Sequence, residues 1–505
     1  MDVLGHDQRS EFHGPQHDYN YYDFGTRTWN WIDHANRMLS GVGVYGKRAG
    51  YGNVDVDPAS GVALVGGHVF VDSPSIRPWL ARDAAPGAGI FEYADSMDLG
   101  VTQWPPIAVG QDGRIDVFPC SDAYALSYSQ VAPDSWPNFS PELTGMAPSP
   151  GFPTHGIAAS KASSKVALVW EISANTPQDA YQMHSTDGGM TWDTPATLDP
   201  PDAYGGDTVT SDHLASLFPW YDRQDKFHVA ANLMPMVNDT GRILPSQIWH
   251  YCRENSPQWS RVHVASVDPT HYINPITSNA TLACRPSIGQ DGDGNLFVAW
   301  EQFDTLNFEP TTSRARADIF GSKSTNGGLS WGPALKLTDA GTHSVRFPSI
   351  IDLAIDGDPD TVCVIYLVDS VAGFYVAAGT LPSEGPATPN PVVVQKVPAD
   401  SFGTAVAEPK DVTWVALEAA AWPNPFDNST RVSYAVPHRG RAALDIFDAV
   451  GRPVRTLVNG RGEPGRFSVI WDGRSQSGAL VPAGVYVYRY ALDSKQITGR
   501  LTLTR

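Results

Sequence analysis

The fold is indicated by one octet, Ser324-Thr325-Asn326-Gly327-Gly328-Leu329-Ser330-Trp331, whose pattern occurs twice in the chain. The other copy is Ser185-Thr186-Asp187-Gly188-Gly189-Met190-Thr191-Trp192. Both octets read S-x-[D/N]-x-G-x-[S/T]-W and lie between short strand-like runs. The Asp or Asn side chain can accept hydrogen bonds from nearby backbone N–H groups, and the glycines permit the positive φ angles of a tight turn. The closing tryptophan adds an apolar ring that anchors the turn to a sheet. The octets therefore predict hairpin turns at repeated positions of a strand-rich fold.

The octets resemble the Asp box, or BNR repeat, of the sialidase-like β-propellers. The residues that match its structural positions are Ser185, Asp187, Gly189 and Trp192 in one copy and Ser324, Asn326, Gly328 and Trp331 in the other. In that family the box lies on the outer edge of a blade, away from the ligand pocket. The resemblance therefore implies an architecture and not an activity.

The residues around the second octet predict one complete blade. Two strand-like runs, Arg285–Gly289 and Leu296–Glu301, are joined by a turn, a third run enters the octet, and a fourth follows it. First strands of the same kind begin at Gly52, Pro106, Gly156, Leu214, Arg285 and Phe347. Their spacing of roughly 50–70 residues suits propeller blades with long loops. The sequence predicts an all-β fold whose main part is a sialidase-like propeller with six blades.

Composition and motifs divide the chain into four parts. Residues 1–45 form an N-terminal segment that is a candidate for closing the propeller by completing its last blade. Residues 46–400 are predicted to be the propeller. Residues 401–419 are a linker, and residues 420–505 are a second, smaller domain.

The second domain opens with Trp422-Pro423-Asn424-Pro425-Phe426 and continues with alternating apolar and polar residues between glycine-containing turns. This pattern predicts an immunoglobulin-like (Ig-like) β-sandwich of about eighty residues. The domain resembles the Ig-like domain of the flagellar hook-capping (FlgD-like) family and the C-terminal sorting domain of proteins exported by type IX secretion. The resemblance implies that the type IX machinery is a partner. The closing run Arg500-Leu501-Thr502-Leu503-Thr504-Arg505 is expected to be a basic edge strand that this machinery can reach.

Charge and hydropathy narrow the remaining partners. The net charge is −19 and the isoelectric point is near 5.0, which argues against nucleic acid and anionic membranes. No apolar run approaches the roughly 20 residues that a transmembrane helix needs. The first residues, Met1-Asp2-Val3-Leu4-Gly5-His6, lack the pattern of a signal peptide. Together with the resemblance to a sorting domain, this leads us to expect a secreted or outer-surface protein of a Gram-negative-type bacterium whose leader has been removed.

The cysteines and acidic turns offer few metal or redox sites. Cys252 and Cys284 enclose a loop of about thirty residues and are candidates for a disulfide, whereas Cys363 lies in an apolar run and is expected to be a buried thiol. The run Asp291-Gly292-Asp293-Gly294-Asn295 imitates the first half of a calcium loop, but the twelfth position is Gln302. Turn chemistry explains Asp291, Asp293 and Asn295 without a metal ion, and no cofactor is assigned. The alternative is that these three residues bind Ca²⁺.

Two sets of charged residues are candidates for chemistry, although no catalytic residue is assigned. Arg48, Arg285 and Arg346 each precede the first strand of a blade and could bind one ligand carboxylate. The alternative is that each arginine pairs with a neighbouring acidic residue. Glu171 and Glu301 follow tryptophans at matching repeat positions and could be the paired carboxylates of a glycoside hydrolase. The alternative is a repeated structural role.

The sequence leaves three functions open. The first is a non-catalytic module that binds glycans or proteins and is exported through its C-terminal domain. The second is an exo-acting glycoside hydrolase of the sialidase type, although no Tyr–Glu nucleophile can be located. The third is a structural component of the cell envelope or of an extracellular filament.

Overall fold

The structure is a computed structural model, and its described residues form two compact units, within 2–403 and within 419–504. The residues described are 2–7, 16–23, 28–32, 49–72, 75–95, 102–121, 125–140, 143–144, 154–172, 179–198, 208–211, 217–237, 240–241, 246–265, 276–277, 280–351, 361–373, 383–386, 388, 390–403, 419–422, 424–436, 440–462, 465–493 and 495–504. Almost all regular structure in these ranges is β-strand. Single 3-10 turns occur at Pro133–Ser135 and Ala399–Ser401.

The larger unit begins with a three-stranded sheet and continues with six successive antiparallel sheets, sheets 1 to 6. The N-terminal sheet contains β1 (Asp2–Asp7), β2 (Gln16–Asp23) and β3 (Thr28–Ile32). Sheet 1 contains β4 (Ala49–Val56), β5 (Ala63–Asp72), β6 (Ser75–Asp83) and β7 (Phe91–Asp95). The strands of sheet 2 are β8 (Thr102–Gln103), β9 (Ile107–Val109), β10 (Ile115–Val117), β11 (Cys120–Ser121), β12 (Ser127–Val131) and β13 (Leu143–Thr144), with β8 paired to β11 beside the other four.

In sheets 3, 5 and 6 the strands follow chain order from one edge of the sheet to the other, whereas sheet 4 contains additional short strands. Sheet 3 contains β14 (His155–Ala159), β15 (Val166–Ile172), β16 (Asp179–Ser185) and β17 (Ala196–Thr197). Sheet 4 contains β18 (Thr208–Ser211), β19 (Leu217–Tyr221), β20 (Phe227–Val237), β21 (Thr240–Gly241), β22 (Ser246–Cys252) and β23 (Trp259–Ala265). Sheet 5 contains β24 (Ala283–Gln290), β25 (Leu296–Phe308), β26 (Ala315–Ser324) and β27 (Leu335–Lys336). Sheet 6 contains β28 (Ser344–Ile350), β29 (Thr361–Asp369) and β30 (Val392–Pro398).

We count β9 and β19, which follow the short strands β8 and β18, as the first strands of sheets 2 and 4. The first strands then lie side by side in chain order, β4 against β9, then β14, β19, β24 and β28. Apolar side chains fill the space between successive sheets, so that both faces of an inner strand are buried. In β15 every residue from Val166 to Trp170 is fully buried, which explains a continuous apolar run where a half-exposed strand would alternate. This arrangement of successive packed antiparallel sheets is a β-propeller, and the predicted all-β fold class is confirmed. β1 and β2 lie beside β4, and closure of the ring by the N-terminal segment stays a prediction.

Each octet closes the hairpin between the third and fourth strands of its sheet. In the first copy Ser185 Oγ accepts a hydrogen bond from Gly189 N at 2.8 Å, and Asp187 Oδ1 accepts one from Thr191 N at 2.9 Å. In the second copy Asn326 takes the place of the aspartate and accepts from Ser330 N at 3.0 Å. In both copies, side-chain oxygens therefore hold the octet as a hydrogen-bonded turn.

The octet tryptophans pack against the preceding sheet, which the sequence did not predict. The Trp192 ring lies edge-on to Tyr128 of β12, with centroids 4.9 Å apart. The Trp331 ring lies edge-on to His250 of β22 at 5.2 Å, and its Nε1 donates to Ser260 Oγ at 3.0 Å. Each octet is thus a contact between two blades.

The smaller unit is a two-sheet sandwich built from β31 (Ala419–Trp422), β32 (Thr430–Val436), β33 (Gly440–Asp448), β34 (Pro453–Gly462), β35 (Gly465–Trp471), β36 (Gly484–Leu492) and β37 (Lys495–Leu503). One sheet has the order β31-β32-β35 and the other has the order β34-β33-β36-β37. Alternate residues of each strand point into one core, whose fully buried side chains include Leu444, Trp471 and Tyr490. This unit is the predicted Ig-like sandwich.

The closing strand of the sandwich is not the open edge that the sequence predicted. Asn424 Nδ2 donates to Arg500 O at 2.6 Å, and Asn424 Oδ1 accepts from Thr502 N at 2.8 Å. Phe426 N donates to Thr502 O at 3.0 Å, and Thr504 N donates to Phe426 O at 2.8 Å. Because these bonds use the backbone groups on the outer side of β37, strand addition along Arg500–Thr504 is blocked.

Cys252 and Cys284, the candidates for a disulfide, are not bridged, because all four cysteines are free and buried. The Cys252 thiol lies 3.6 Å from Glu254 Oε2, whereas the Cys284 thiol lies 3.2 Å from Glu301 Oε1. Cys363 is a buried thiol, as predicted. In the described part of the chain, no helix is long and apolar enough to cross a membrane.

Candidate functional site

The first strands of sheets 5 and 6 begin with the same irregularity. In β24 two residues, Arg285 and Pro286, lie opposite the single residue Trp300 of β25. In β28 Phe347 and Pro348 occupy the equivalent bulge. The leading residue of each pair is left-handed, with φ of 52° at Arg285 and 56° at Phe347. A bulge redirects the side chain that it carries, and the proline that follows needs no ladder hydrogen bond.

The carboxylate of Glu301, in β25, joins the two bulges. Its side chain is fully buried, and Arg346 donates to it twice, from Nε to Oε2 at 3.0 Å and from Nη2 to Oε1 at 3.1 Å. Arg285 Nη1 also donates to Oε1. The backbone N–H of Phe347 donates to Oε2 at 3.0 Å. Glu301 therefore connects sheet 5 to sheet 6 and holds the backbone of a left-handed residue.

This environment keeps Glu301 ionised. Burial by itself would raise its pKa, but the charges of Arg285 and Arg346, together with hydrogen bonds from Arg346 and from Phe347 N–H, lower the pKa from 4.5 to about 2. The neighbouring Cys284 thiol shows the opposite effect. Burial and the charge of Glu301 raise the pKa of Cys284 to about 12, so the thiol stays protonated and can donate to the carboxylate.

An exposed aromatic ring lies at this charged group. Phe347 is 42% exposed although it is a large apolar residue. Its ring centroid lies 4.8 Å from the guanidinium carbon of Arg346 and 5.0 Å from that of Arg285. The Arg346 guanidinium also lies 4.9 Å from the ring of the buried Phe303. We call this end of the propeller, where the first strands begin, the mouth.

The structure brings three of the predicted charged residues together. Arg285 and Arg346 both bind Glu301, so each arginine pairs with a carboxylate of the protein itself. Glu171 is fully buried in β15 of sheet 3, where its N–H donates to Thr154 O at 2.8 Å. Arg48 lies outside the described residues.

The acidic turn between β24 and β25 uses its own carboxylate. Asp291 Oδ1 accepts from Asp293 N at 3.0 Å and from Asn295 N at 2.8 Å, and Oδ2 accepts from Asn295 Nδ2 at 2.8 Å. These bonds satisfy both oxygens within the turn. Over the ranges that the structure describes, no group of three or more His, Cys, Asp or Glu side chains is arranged to hold a metal ion.

Phe347 and Cys284 are parts of this site that the sequence did not indicate. A signal for the first was present, because Arg285-Pro286 and Phe347-Pro348 are bulky or charged residues before proline at the start of equivalent strands. A residue before proline disfavours helical angles and is normally extended. The left-handed conformations of Arg285 and Phe347 could therefore not be inferred from the sequence. Nothing in the sequence near Cys284 indicates its contact with Glu301.

Comparison with known proteins identifies the smaller unit but not the propeller's function. Residues 426–495 match the FlgD Ig-like domain family. The chain matches no curated protein sequence. Among solved structures it is similar to an ulvan lyase of a polysaccharide lyase family, with 11% identity, coverage of 73% of this chain and 87% of that chain, and a TM-score of 0.44. It is also similar to an α-L-arabinofuranosidase of Fusarium graminearum, with 12% identity, 70% and 94% coverage and a TM-score of 0.40. The six-bladed lectin of Aleuria aurantia gives 10% identity, 63% and 86% coverage and a TM-score of 0.34. Scores this low identify no function.

Proposed function

We propose that the propeller is a non-catalytic carbohydrate-binding module whose ligand contacts the mouth at Phe347 and Arg285. The observation that carries the proposal is the exposed Phe347 ring, held in a left-handed bulge beside two guanidinium groups. A sugar ring presents an apolar C–H face that packs on an aromatic ring, and hydroxyls that accept from guanidinium N–H groups. Non-glycine residues in this conformation cost about 1–3 kcal/mol and concentrate at ligand sites.

The state of Glu301 favours binding over hydrolysis. A general acid must carry a proton near neutral pH, whereas Glu301 has a pKa of about 2. A nucleophile must reach the sugar, whereas this carboxylate is fully buried and bonded at both oxygens. The same contacts engage Arg285 and Arg346, which a sialidase would direct at the carboxylate of its substrate. Hydrolysis of the sialidase type therefore has less support than binding.

A glycan array probed with the whole chain, together with a fluorogenic sialoside assay, tests the proposal. We expect binding to a subset of glycans without release of the fluorophore. Phe347→Ala should weaken that binding by about tenfold or more, because a stacked ring contributes on the order of 1–2 kcal/mol. Phe467→Ala is a matched control, because Phe467 is 40% exposed on β35 of the sandwich, and its removal should leave glycan binding unchanged.

Two results would contradict the proposal. Steady release of the fluorophore would support the hydrolase. If the folded wild-type chain bound no glycan, the proposal would fail, and a protein ligand or a structural role in the envelope or a filament would become the better explanation.

We also propose that the Ig-like domain directs export through the type IX machinery and leaves the protein secreted or on the outer surface of the cell. The domain has its own core, and its match to the FlgD Ig-like family supports the assignment of a separate module. Deletion of residues 420–505 in a host with that machinery should leave the propeller in the periplasm. Normal amounts of the truncated protein outside the cell would contradict the sorting role.

A further inference from the structure

Sheet 2 repeats the bulge of sheets 5 and 6 at a residue that sequence reasoning did not select. Gln103 pairs with Cys120, and Phe118 N donates to Pro106 O at 3.1 Å, so Trp104 and Pro105 lie between two regular pairs. Trp104 is left-handed, with φ of 48°, and proline follows it, as at Arg285 and Phe347. Since the first strands of the sheets run in the same direction, Trp104 lies at the mouth.

Two histidines hold the backbone of Trp104. His68 Nδ1 accepts its N–H at 3.2 Å, and His155 Nε2 donates to its carbonyl oxygen at 2.9 Å. His68 is 4% exposed and lies opposite Gly50 in sheet 1, the position that Glu301 occupies opposite Cys284 in sheet 5. In both cases a buried side chain on the second strand of one sheet therefore accepts a hydrogen bond from the N–H of the bulge residue in the next sheet. His68 accepts from Trp104, and Glu301 accepts from Phe347.

The Trp104 side chain lies only partly in the core. It is half-buried, and its buried part packs against the core cluster between sheets 2 and 3, which includes Phe118 and Trp170. A tryptophan that only filled this core would not need a left-handed backbone held by two histidines, one of them buried. The free-energy cost of the left-handed backbone at Trp104 is explained if the bulge places the indole where a ligand can contact it.

We infer that Trp104 is a second ligand-contacting residue of the mouth, that His68 is its positioning residue, and that the ligand is a carbohydrate chain of at least two sugar units. This inference rests on the proposed function, because it places a second sugar on the same end of the propeller. One aromatic residue is enough to bind a terminal sugar. Two aromatic residues on different sheets, Phe347 on sheet 6 and Trp104 on sheet 2, favour a sugar chain that contacts both.

The positioning role can be tested without a ligand by 19F NMR of the chain labelled with 5-fluorotryptophan. The Trp104 resonance is assigned by its loss in Trp104→Phe. His68→Leu removes the acceptor and should shift or broaden this resonance, whereas His68→Asn keeps an acceptor oxygen near Nδ1 and should largely restore it. Equal spectra for both variants, whether shifted or unshifted, would overturn the role of His68, and thermal unfolding confirms that each variant is folded.

The contact itself is tested on an array of linear glycans graded from one to six sugar units. Trp104→Ala should weaken binding of chains by about tenfold and leave single sugars unchanged. Trp259→Ala, which truncates a half-buried tryptophan on the outer strand β23, is the control and should bind all glycans normally.

The outcomes separate the two proposals. If Phe347→Ala weakens binding and Trp104→Ala does not, the second contact is wrong and the proposed function stands. If Trp104→Ala weakens single sugars and chains equally, the inference of a chain ligand is wrong. If the wild-type chain binds no glycan, both proposals fail.

Discussion

The Glu301 cluster makes a quantitative prediction about stability and its dependence on pH. The folded pKa of about 2 lies below the ordinary value of 4.5, so the ionised carboxylate stabilises the fold above pH 4.5 and this contribution is lost as the pH falls toward 2. A difference of this size corresponds to about 3 kcal/mol at neutral pH. Glu301→Gln also leaves Arg346 facing an uncharged amide in a buried site. We therefore expect the variant to lose about 3–5 kcal/mol at pH 7.

Urea unfolding of the wild type and Glu301→Gln, measured from pH 7 to pH 3, tests both parts of this argument. The difference in unfolding free energy between the two proteins should be largest at pH 7 and shrink below pH 4.5, because the wild type then loses its advantage. Glu92→Gln is the control, since Glu92 pairs with Arg82 at 2.7 Å but is 54% exposed, and it should lose less than about 1 kcal/mol. A loss below about 1 kcal/mol for Glu301→Gln, or a difference that stays constant with pH, would refute the reasoning.

Three further predictions concern the contacts between blades. Trp331→Ala should lower the free energy of unfolding by about 2 kcal/mol, less than the 3–5 kcal/mol of a fully buried ring, because Trp331 is half-buried. Leu329→Ala in the same octet is the control and should lower it by about 0.5 kcal/mol or less, because Leu329 is exposed. Urea unfolding measures both changes. Gly328→Ala should destabilise the propeller by at least about 2 kcal/mol more than Gly327→Ala does. The added Cβ at Gly328 would lie 2.0 Å from His250 Cε1, whereas the Cβ at Gly327 would meet no atom within 4 Å. Similar melting temperatures for the two variants would contradict this contact. Burial lowers the pKa of His184 to about 3 and that of His263 to about 4, so these neutral rings stabilise the fold above the ordinary pKa of 6.5. Each should therefore remove about 1.4 kcal/mol of stability per pH unit as the pH falls below 6.5, and His263→Gln should reduce that slope in a urea series.

The strands and octets could be predicted from sequence because their signals are local. Apolar runs bounded by glycine, proline and aspartate locate the first two strands of each sheet, and the octet hydrogen bonds join residues at most four positions apart. The partners of the octet tryptophans could not be predicted. Trp331 meets Ser260 and His250, which lie 71 or more residues earlier and carry no motif.

The bulges at the mouth were also beyond prediction, because local preference opposes them. A phenylalanine before proline disfavours the left-handed region, yet Phe347 adopts it. The acceptor of its N–H is Glu301, which is 46 residues away and contacts Phe347 only after sheets 5 and 6 have packed together. Tertiary contacts thus override the local preference, and such overrides are expected at ligand sites.

One position on the second strand shows why equivalence between repeats does not fix the role of a residue. His68, Glu171, Glu301 and Leu367 occupy this position in sheets 1, 3, 5 and 6. His68 and Glu301 accept the N–H of a bulge residue in the next sheet, whereas the equivalent place in sheet 4, at residues 212–216, lies outside the described residues. At His68 and Glu301 the residue is therefore matched to the sheet that follows it. Glu301 accepts hydrogen bonds from the N–H of the left-handed residue Phe347 and from two guanidinium groups. These contacts explain a buried, ionised glutamate without a catalytic role.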